Sequence, residues 1–299
     1  MTQAKTGITC TGNYIWFYNM EGNIMLVHSV HMQLSGMLRK KTAVLTYLIL
    51  LTFVMFNFFS NVIQNYDLQY ISQMYDPLKI ITLSDWSVSG YFMMEFFPLL
   101  VVVPTACSYL TDRETRIKVY IESRTGKSYY WIGKFIAVFM TTFLIFTIPF
   151  RMEIILNCFC FSLSSMGDPS NFSYIQTIKN ENQYFLSQLW LENRVLYVVV
   201  QTLIFGAVAA VLAVFNFAIT LLPFFKYKIF TFFPIYILCY LILVMEKIAG
   251  TDYTMNYFQI LRFFNLENKN YSVYGLFLIV IFCFSLVLAG IKMKKDDLL

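Results

Sequence analysis

The chain has 299 residues, of which 58% are hydrophobic and only 13% are charged, so a soluble globular protein is excluded and a multi-pass membrane protein is indicated. Its mean hydropathy of +0.61 agrees with that class. The net charge of +5 comes largely from basic residues at the ends of apolar segments, which membrane topology explains, so nucleic-acid binding is excluded as well.

The N-terminal part of the chain is predicted to lie on the cytoplasmic side. Residues 1–26 form an extension without the basic start, apolar core and cleavage site of a secretory signal. Residues 27–41 place apolar side chains at roughly helical spacing and end in Arg39, Lys40 and Lys41. This pattern predicts an amphipathic helix along the inner membrane interface.

Six mainly apolar segments follow, each close to the roughly 20 residues that an α-helix needs to cross a bilayer. They predict an all-α transmembrane domain over residues 42–292 and a cytoplasmic tail over residues 293–299. The predicted spans are residues 43–63, 88–110, 132–150, 196–222, 229–245 and 271–291. In the fourth span, small residues that include Gly206, Ala209 and Ala213 predict a face that another helix approaches closely.

The distribution of basic residues predicts the orientation of these spans. In the six-span layout, 15 of the 22 Lys and Arg residues fall on the side that holds both termini, so the positive-inside rule places both termini in the cytoplasm. The loop between the first two spans, residues 64–87, then lies outside. Its acidic and aromatic side chains suit the boundary between membrane and water.

Catalytic and metal-binding patterns are missing from the sequence. Both histidines, His28 and His31, precede the first span, so the intramembrane histidine ligands of a membrane metalloprotease do not occur. The tripeptide Gly-Lys-Ser at 126–128 lacks the glycine that a phosphate-binding loop has five residues earlier, since Ile121 stands there. We therefore expect no catalytic residue, no metal site and no cofactor bound by this chain.

Two cysteines, Cys158 and Cys160, lie at the outer boundary of the third span. A strained local disulfide and two reduced thiols are both compatible with their spacing, and we favour reduced thiols.

One carboxylate, Glu95, falls inside a predicted span. A charge at that depth is costly unless the group is protonated, paired or in contact with a wet cavity. Two interpretations remain open: a role in a substrate or proton path, and a structural contact with another helix or with an interfacial partner such as Arg151. Pro98 and Pro104 are expected to bend the same span.

The loop Thr111–Lys134 combines a set of short motifs. The second span ends in Asp-Arg-Glu at 112–114, and Ser-Arg-Thr-Gly-Lys-Ser-Tyr-Tyr at 123–130 and Gly-Lys at 133–134 lead into the third. With a basic amphipathic helix before the first span, this order resembles the permease subunits of type-2 ABC exporters. The likeness covers residues 25–291 in topology and the loop alone in motif.

The resemblance implies a type-2 exporter permease fold with a coupling helix at Asp112–Arg124. In such permeases this helix docks in a groove of a separate ATP-hydrolysing subunit, which binds the ATP and Mg²⁺. The family also tends to have short re-entrant helices before the sixth span, and Tyr253–Phe264 is in that position. The residues expected to contact the ATPase are Asp112, Arg113, Glu114, Arg116, Ile117, Tyr120, Ile121 and Arg124.

The function implied is export of a hydrophobic or amphipathic substrate, such as a peptide, an antibiotic or a lipid-like molecule. Two ATPase copies and a second permease would complete the transporter, in a bacterial plasma membrane and in contact with its lipids. Asn57, Asn61 and Glu95 are candidates for lining the path. A self-sufficient secondary transporter or channel that uses Glu95 is the alternative, and an intramembrane enzyme is disfavoured by the positions of the histidines.

Overall fold

The fold is built from α-helices. The computed structural model describes residues 11–67, 70–71, 74–105, 108–165, 184–222, 225, 227–249, 256–264 and 271–297. Within these ranges no β-strand occurs. The helices are α1 Thr11–Leu38, α2 Lys41–Asn65, α3 Val88–Glu95, α4 Phe97–Val102, α5 Ser108–Glu114, α6 Ile117–Thr125, α7 Lys127–Cys160, α8 Ser187–Glu192, α9 Arg194–Thr220, a 3₁₀ helix Lys228–Phe232, α10 Phe233–Ala249, α11 Tyr257–Ile260 and α12 Tyr271–Asp297.

Five helical segments of the described chain are long and apolar enough to cross a membrane. They are Lys41–Asn65, Lys127–Cys160, Arg194–Thr220, Lys228–Met245 and Tyr271–Lys294. These segments coincide with five of the six predicted spans, because each apolar run in the sequence is long enough to form its own helix. At 34 residues and about 1.5 Å per residue, α7 is roughly 50 Å long and extends beyond the hydrocarbon layer.

The predicted second span, Val88–Leu110, is not one continuous helix. It consists of α3, α4 and the first turn of α5. The first break falls at Phe96, and Pro98 lies in the first turn of α4, where its missing N–H would have no helical partner in any case. Pro104 lies in the turn after α4, where a proline ring would obstruct a continuing helix. Two prolines six residues apart thus replace one long helix with short ones.

Helices α7 and α9 form the centre of the bundle and pack against each other more extensively than any other pair of described elements. A Cβ atom at Gly206 would come within 2.2 Å of Thr147 Oγ1, so only glycine permits this approach. Ala209 and Ala213 on the same helix are fully buried. The predicted small-residue face of the fourth span is therefore confirmed, and its neighbour is α7.

Helix α1 also packs on α7, and its buried face is mainly polar. Ser29 Oγ donates to the carbonyl of Tyr129 at 3.1 Å, and Gln33 Nε2 donates to the carbonyl of Tyr130 at 3.1 Å. A Cβ atom at Gly133 would lie 2.7 Å from Ser29 Oγ, so this glycine allows the close contact. The helix begins at Thr11, well before the predicted interfacial segment.

The bundle has two distinct ends. The loop end consists of α5, α6, the start of α7 and Lys228, and the last turns of α12 also reach it. The opposite end, here called the cap end, consists of residues 74–87, 184–193 and 256–264. There the backbones of Leu83 and Phe263 are hydrogen bonded at 2.8 Å, and Arg262 pairs with Asp85 at 3.0 Å.

The first cap segment, residues 74–87, is largely buried within the protein. Every residue of 76–84 is buried, and a Cβ atom at Gly90 of α3 would lie only 1.8 Å from the carbonyl oxygen of Thr82. The predicted outer segment Tyr253–Phe264 supplies the third cap segment, residues 256–264, which contains α11, while its residues 253–255 lie outside the described ranges.

Candidate functional site

The loop end presents α6 between two sharp turns. Arg116, which precedes α6, has a left-handed backbone with φ of 57°, and Gly126, which follows it, has φ of 86°. Left-handed conformations reverse the chain direction abruptly, and outside glycine they are uncommon. The helix is therefore a separate short element between α5 and α7, and the stretch Asp112–Arg124 expected to be one coupling helix is divided between the end of α5 and α6.

The outward face of α6 carries large apolar side chains. Ile117, Val119 and Tyr120 are 46%, 65% and 52% exposed, whereas Ile121 is buried against the bundle. The guanidinium of Arg124 lies over the Tyr120 ring at 4.3 Å from its centroid. Exposed apolar side chains beside a basic group resemble the anchors of protein interfaces.

Asp112 lies inside the protein rather than on this surface. It forms an ion pair with the buried Lys134 of α7 and accepts a hydrogen bond of 3.2 Å from the hydroxyl of Tyr130. This pair fixes the end of α5 to the first turns of α7. In this structure Asp112 therefore supports the loop from within.

Glu114 connects the loop to a distant part of the chain. Its Oε2 atom lies 2.5 Å from Nζ of Lys228, at the start of the 3₁₀ helix before α10, and both side chains are about half exposed. Arg113 and Arg116 are exposed on the same end. Of the eight residues predicted to meet a partner, Asp112 and Ile121 are buried and the other six are accessible.

A buried polar cluster lies at the cap end, where α2, α3 and α7 meet the first cap segment. Glu153 is 1% exposed, and its Oε1 atom accepts bonds from Asn57 Nδ2 at 2.8 Å, Thr82 N at 2.8 Å and Thr82 Oγ1 at 2.7 Å. Asn57 Oδ1 in turn accepts from the hydroxyls of Ser87 and Ser89. Three helices and one cap segment thus share one hydrogen-bonded network.

The two predicted path asparagines belong to this cluster. Asn57 and Asn61 each donate to the carbonyl oxygen of Ile80 at 2.8 Å. One turn along α7 from Glu153, Asn157 donates to the carbonyl of Pro77 at 3.0 Å. In this conformation these amides hold the cap segment against the bundle.

Glu95 is separate from the cluster. It is exposed at the last residue of α3, next to the break at Phe96. Burial raises the pKa of the Tyr257 phenol, and the Glu95 carboxylate contributes in the same direction. Glu153, three residues beyond the predicted third span, is thus buried in the protein, whereas Glu95, inside the predicted second span, is exposed at the end of α3.

A sequence signal for the cluster exists but is weak. Asn57 and Asn61 are four residues apart in one apolar helix, and Glu153 and Asn157 are four apart in another. Polar groups at that spacing share a helix face, which indicates a polar contact between helices. The spacing does not reveal which other segment supplies the partners.

The described residues form neither a metal-binding cluster nor a disulfide. Among the described residues, no group of three or more His, Cys, Asp or Glu side chains is close enough to hold a metal ion. Cys158 and Cys160 are free thiols, as favoured from the sequence.

No family model matches the chain, and no curated protein or solved structure matches it either. The described chain is helical, and its five long apolar helices are those of a multi-pass membrane protein.

Proposed function

We propose that the chain is the permease subunit of an ATP-driven exporter. The observation that carries this proposal is α6, a short helix set off by turns at both ends, whose outer face exposes Ile117, Val119 and Tyr120. A permease has no hydrolytic site of its own, so it needs a surface through which an ATPase moves the spans. A short helix fixed to two spanning helices meets that requirement.

Two ion pairs of α5, the helix that precedes α6, would transmit a force applied to α6. The Asp112–Lys134 pair fixes α5 to α7, and the Glu114–Lys228 pair joins the loop to the segment leading into α10. A partner that displaced α6 would therefore act on α7 and α10 together. Two ATPase copies, each with ATP and Mg²⁺, and a second permease would complete the transporter in a bacterial plasma membrane.

The cargo we propose is a hydrophobic or amphipathic molecule, such as a peptide, an antibiotic or a lipid-like compound. Asn57 and Asn61 would line its path only after the cap segment 76–84 had moved, because both amides now bind the Ile80 carbonyl. In this proposal the cap end is closed in the present conformation and opens during export.

The test is purification of the tagged chain from its native membrane in a gentle detergent, with mass spectrometry of the proteins that accompany it. We expect an ATPase with its own phosphate-binding loop. Replacing Ile117 and Tyr120 by Ser removes two exposed anchors without a buried contact, and the loss of about 1 kcal/mol or more from each should reduce recovery at least tenfold.

The matched control is Tyr227→Ser, which removes another exposed aromatic side chain, 68% accessible, near the same end but outside α6. It should leave recovery of the ATPase unchanged. Equal recovery from the α6 variant and the intact chain would contradict a docking role for α6. Absence of any ATPase across several detergents would contradict the permease proposal itself.

A stand-alone transporter is the second candidate, and a buried carboxylate within a span, Glu153, favours it. Glu95, the carboxylate first considered for this role, is exposed at the end of α3. Proton-dependent transport by the purified chain alone in vesicles, abolished in Glu153→Gln or in Glu95→Gln, would support this candidate over the ATP-driven one.

A further inference from the structure

A surface at the junction of α3, α10 and α11 combines aromatic rings with a carboxylate. Four exposed side chains of α3 repeat at helical spacing and share one side of the helix: Tyr91, Phe92, Glu95 and Phe96. The three rings are 45%, 56% and 54% exposed. Helix α4, which follows α3 after the break, packs against α10 and brings the two elements together.

Helices α10 and α11 add further rings to this surface. Tyr236 of α10 is 49% exposed, and the phenol of Tyr257 on α11 lies within electrostatic reach of both Tyr236 and Glu95. The next ring on α11, Phe258, contacts Tyr91 edge-on at 4.8 Å between centroids. The rings around Glu95, here called the aromatic surface, are Tyr91, Phe92, Phe96, Tyr236, Tyr257 and Phe258.

Glu95 has no ionic partner among the described residues, with which it forms neither an ion pair nor a hydrogen bond. No other charged residue occurs in α3 or α4, and none occurs in α2 after Lys41. Helix α10 is uncharged over residues 233–245 and then carries one residue of each sign, Glu246 and Lys247. A carboxylate inside a predicted span is costly without a partner, so its presence there indicates a binding role.

Arg262 of the third cap segment demonstrates that these rings accept a cation. Its guanidinium lies 5.7 Å from the centroid of Tyr91 and 5.5 Å from that of Phe258. It also pairs with Asp85 at 3.0 Å. One cation, Arg262, and two carboxylates, Asp85 and Glu95, leave one negative charge at the aromatic surface. Aromatic rings with a net negative charge are features that recognise organic cations in proteins.

We propose that the aromatic surface binds a cationic amphipathic molecule, with the positive group at Glu95 and the apolar part on the surrounding rings. The unbalanced carboxylate favours a cation over a neutral or anionic molecule of the same shape, and cation–π contacts add to this preference. The assignment of this molecule as cargo rests on the proposed export function, whereas its binding requires this chain alone. Failure to recover an ATPase would therefore leave the binding site standing, and failure of binding would leave the docking role of α6 standing.

The test is equilibrium dialysis of the purified full chain in detergent with two probes of nearly the same shape. Tetraphenylphosphonium is a cation with four phenyl rings, and tetraphenylborate is the corresponding anion. After uptake by the detergent alone is subtracted, we expect saturable binding of the cation and severalfold weaker binding of the anion. Equal or tighter binding of the anion would indicate attraction to apolar surface alone and would overturn the proposal.

Glu95→Gln removes the charge at nearly constant size and should weaken tetraphenylphosphonium about fivefold or more, because a charge contact in an apolar setting is lost. Glu95→Asp keeps the charge and should retain most of the affinity. The matched control is Glu192→Gln, which removes another exposed carboxylate from α8, outside the aromatic surface. Unchanged binding in Glu95→Gln, or an equal loss in Glu192→Gln, would overturn the proposal.

A second pair of variants tests the rings, and it also makes the comparison if size exclusion shows that Glu95→Gln has misfolded. Phe92→Leu should weaken tetraphenylphosphonium severalfold, because a cation–π contact is lost while the side chain stays apolar. Phe284→Leu removes a ring of similar exposure, 50%, from α12 and should leave binding unchanged. Equal binding by these two variants would contradict a role for the rings and overturn the proposal.

Light scattering on the same samples tests whether a second copy of the chain occupies the aromatic surface instead. In that case Glu95→Lys would lower the dimer fraction without any ligand present, and the ligand proposal would be wrong. We expect Glu95→Lys to abolish binding of tetraphenylphosphonium and to leave the oligomeric state of the chain unchanged.

Discussion

Glu153 on α7 and Asn57 on α2 are joined by a hydrogen bond of 2.8 Å between Oε1 and Nδ2, inside the protein and next to the first cap segment. The same two side chains also bind that segment, through Thr82 and through the Ile80 carbonyl. One contact thus links two spanning helices to the element that closes the cap end. Loss of this contact should affect both the packing of the spans and the closure of the cap.

Replacing Glu153 by Ala should destabilise the fold markedly, because Asn57 Nδ2 and both Thr82 donors would lose their shared acceptor. Buried donors without partners cost about 1–3 kcal/mol each, so the unfolding midpoint in detergent should fall by roughly 5 °C or more. Glu153→Gln keeps an acceptor oxygen and should lose much less. Arg151→Ala, an exposed neighbour on α7, is the control, and an equal fall in all three variants would refute the role of this acceptor.

Gly90→Ala should be among the most damaging single-methyl changes in the chain. The added Cβ would lie 1.8 Å from the carbonyl oxygen of Thr82, so α3 and the cap segment must separate. Overpacking of this kind costs about 1–3 kcal/mol or more. At Gly36 and Gly275, within α1 and α12, nothing lies within 4 Å of the new methyl group, so alanine there should be neutral or stabilising. Thermal midpoints of the three variants in one detergent make the comparison, and a neutral Gly90→Ala would contradict the described cap.

The five long spanning helices could be predicted from the sequence because each depends on a local property, an apolar run of sufficient length. The break in the predicted second span is harder to predict from the sequence. Pro98 and Pro104 were recognised as sites of bending, but whether a proline bends a helix or ends it depends on what else can bind the freed backbone groups. Those partners are tertiary and cannot be deduced from local sequence.

The placement of the two carboxylates shows the same limit. Glu95 falls inside a predicted span, whereas Glu153 lies three residues beyond the predicted end of the third span, so the sequence singles out Glu95 and not Glu153. Burial of Glu153 is possible because Thr82 and Asn57, more than 70 residues away in sequence, supply its donors. At the loop end, the resemblance to the permease family implies one helix at Asp112–Arg124, whereas the structure divides this stretch between the end of α5 and α6, with a left-handed residue at Arg116 that no local pattern predicts.

Lys134→Met should be strongly destabilising, because it leaves Asp112 buried without its cation. Breaking one side of a buried ion pair costs about 3–5 kcal/mol. Asp112→Asn in the same chain removes the unpaired charge and keeps an acceptor for the Tyr130 hydroxyl, so the double variant should regain a large part of the loss. A double-mutant cycle on thermal midpoints measures the coupling. Additive effects would show that Asp112 and Lys134 do not interact.

The Glu114–Lys228 pair should behave differently from the buried one. Both side chains are about half exposed, and exposed pairs contribute about 0–1 kcal/mol. Glu114→Gln and Lys228→Gln should therefore shift the thermal midpoint by only a few degrees. If the pair transmits displacement of α6, each single variant should nevertheless reduce substrate-stimulated ATP hydrolysis in the complete transporter. The charge swap Glu114→Lys with Lys228→Glu should restore it, and failure of the swap would count against transmission through this pair.

The orientation of the bundle predicts which thiols a membrane-impermeant maleimide reaches in intact cells. Cys160, at the end of α7, is exposed on the cap end, and Ser123 of α6 is exposed on the loop end. In a chain whose other five cysteines are replaced by Ala, Cys160 should be labelled from outside. A Ser123→Cys reporter, in a chain without other cysteines, should react only after permeabilisation, because the positive-inside rule places the loop end in the cytoplasm. Ser164→Cys, also exposed, repeats the outer measurement in case lipid shields Cys160. The opposite labelling pattern would invert the topology and would remove the cytoplasmic docking surface on which the exporter proposal depends.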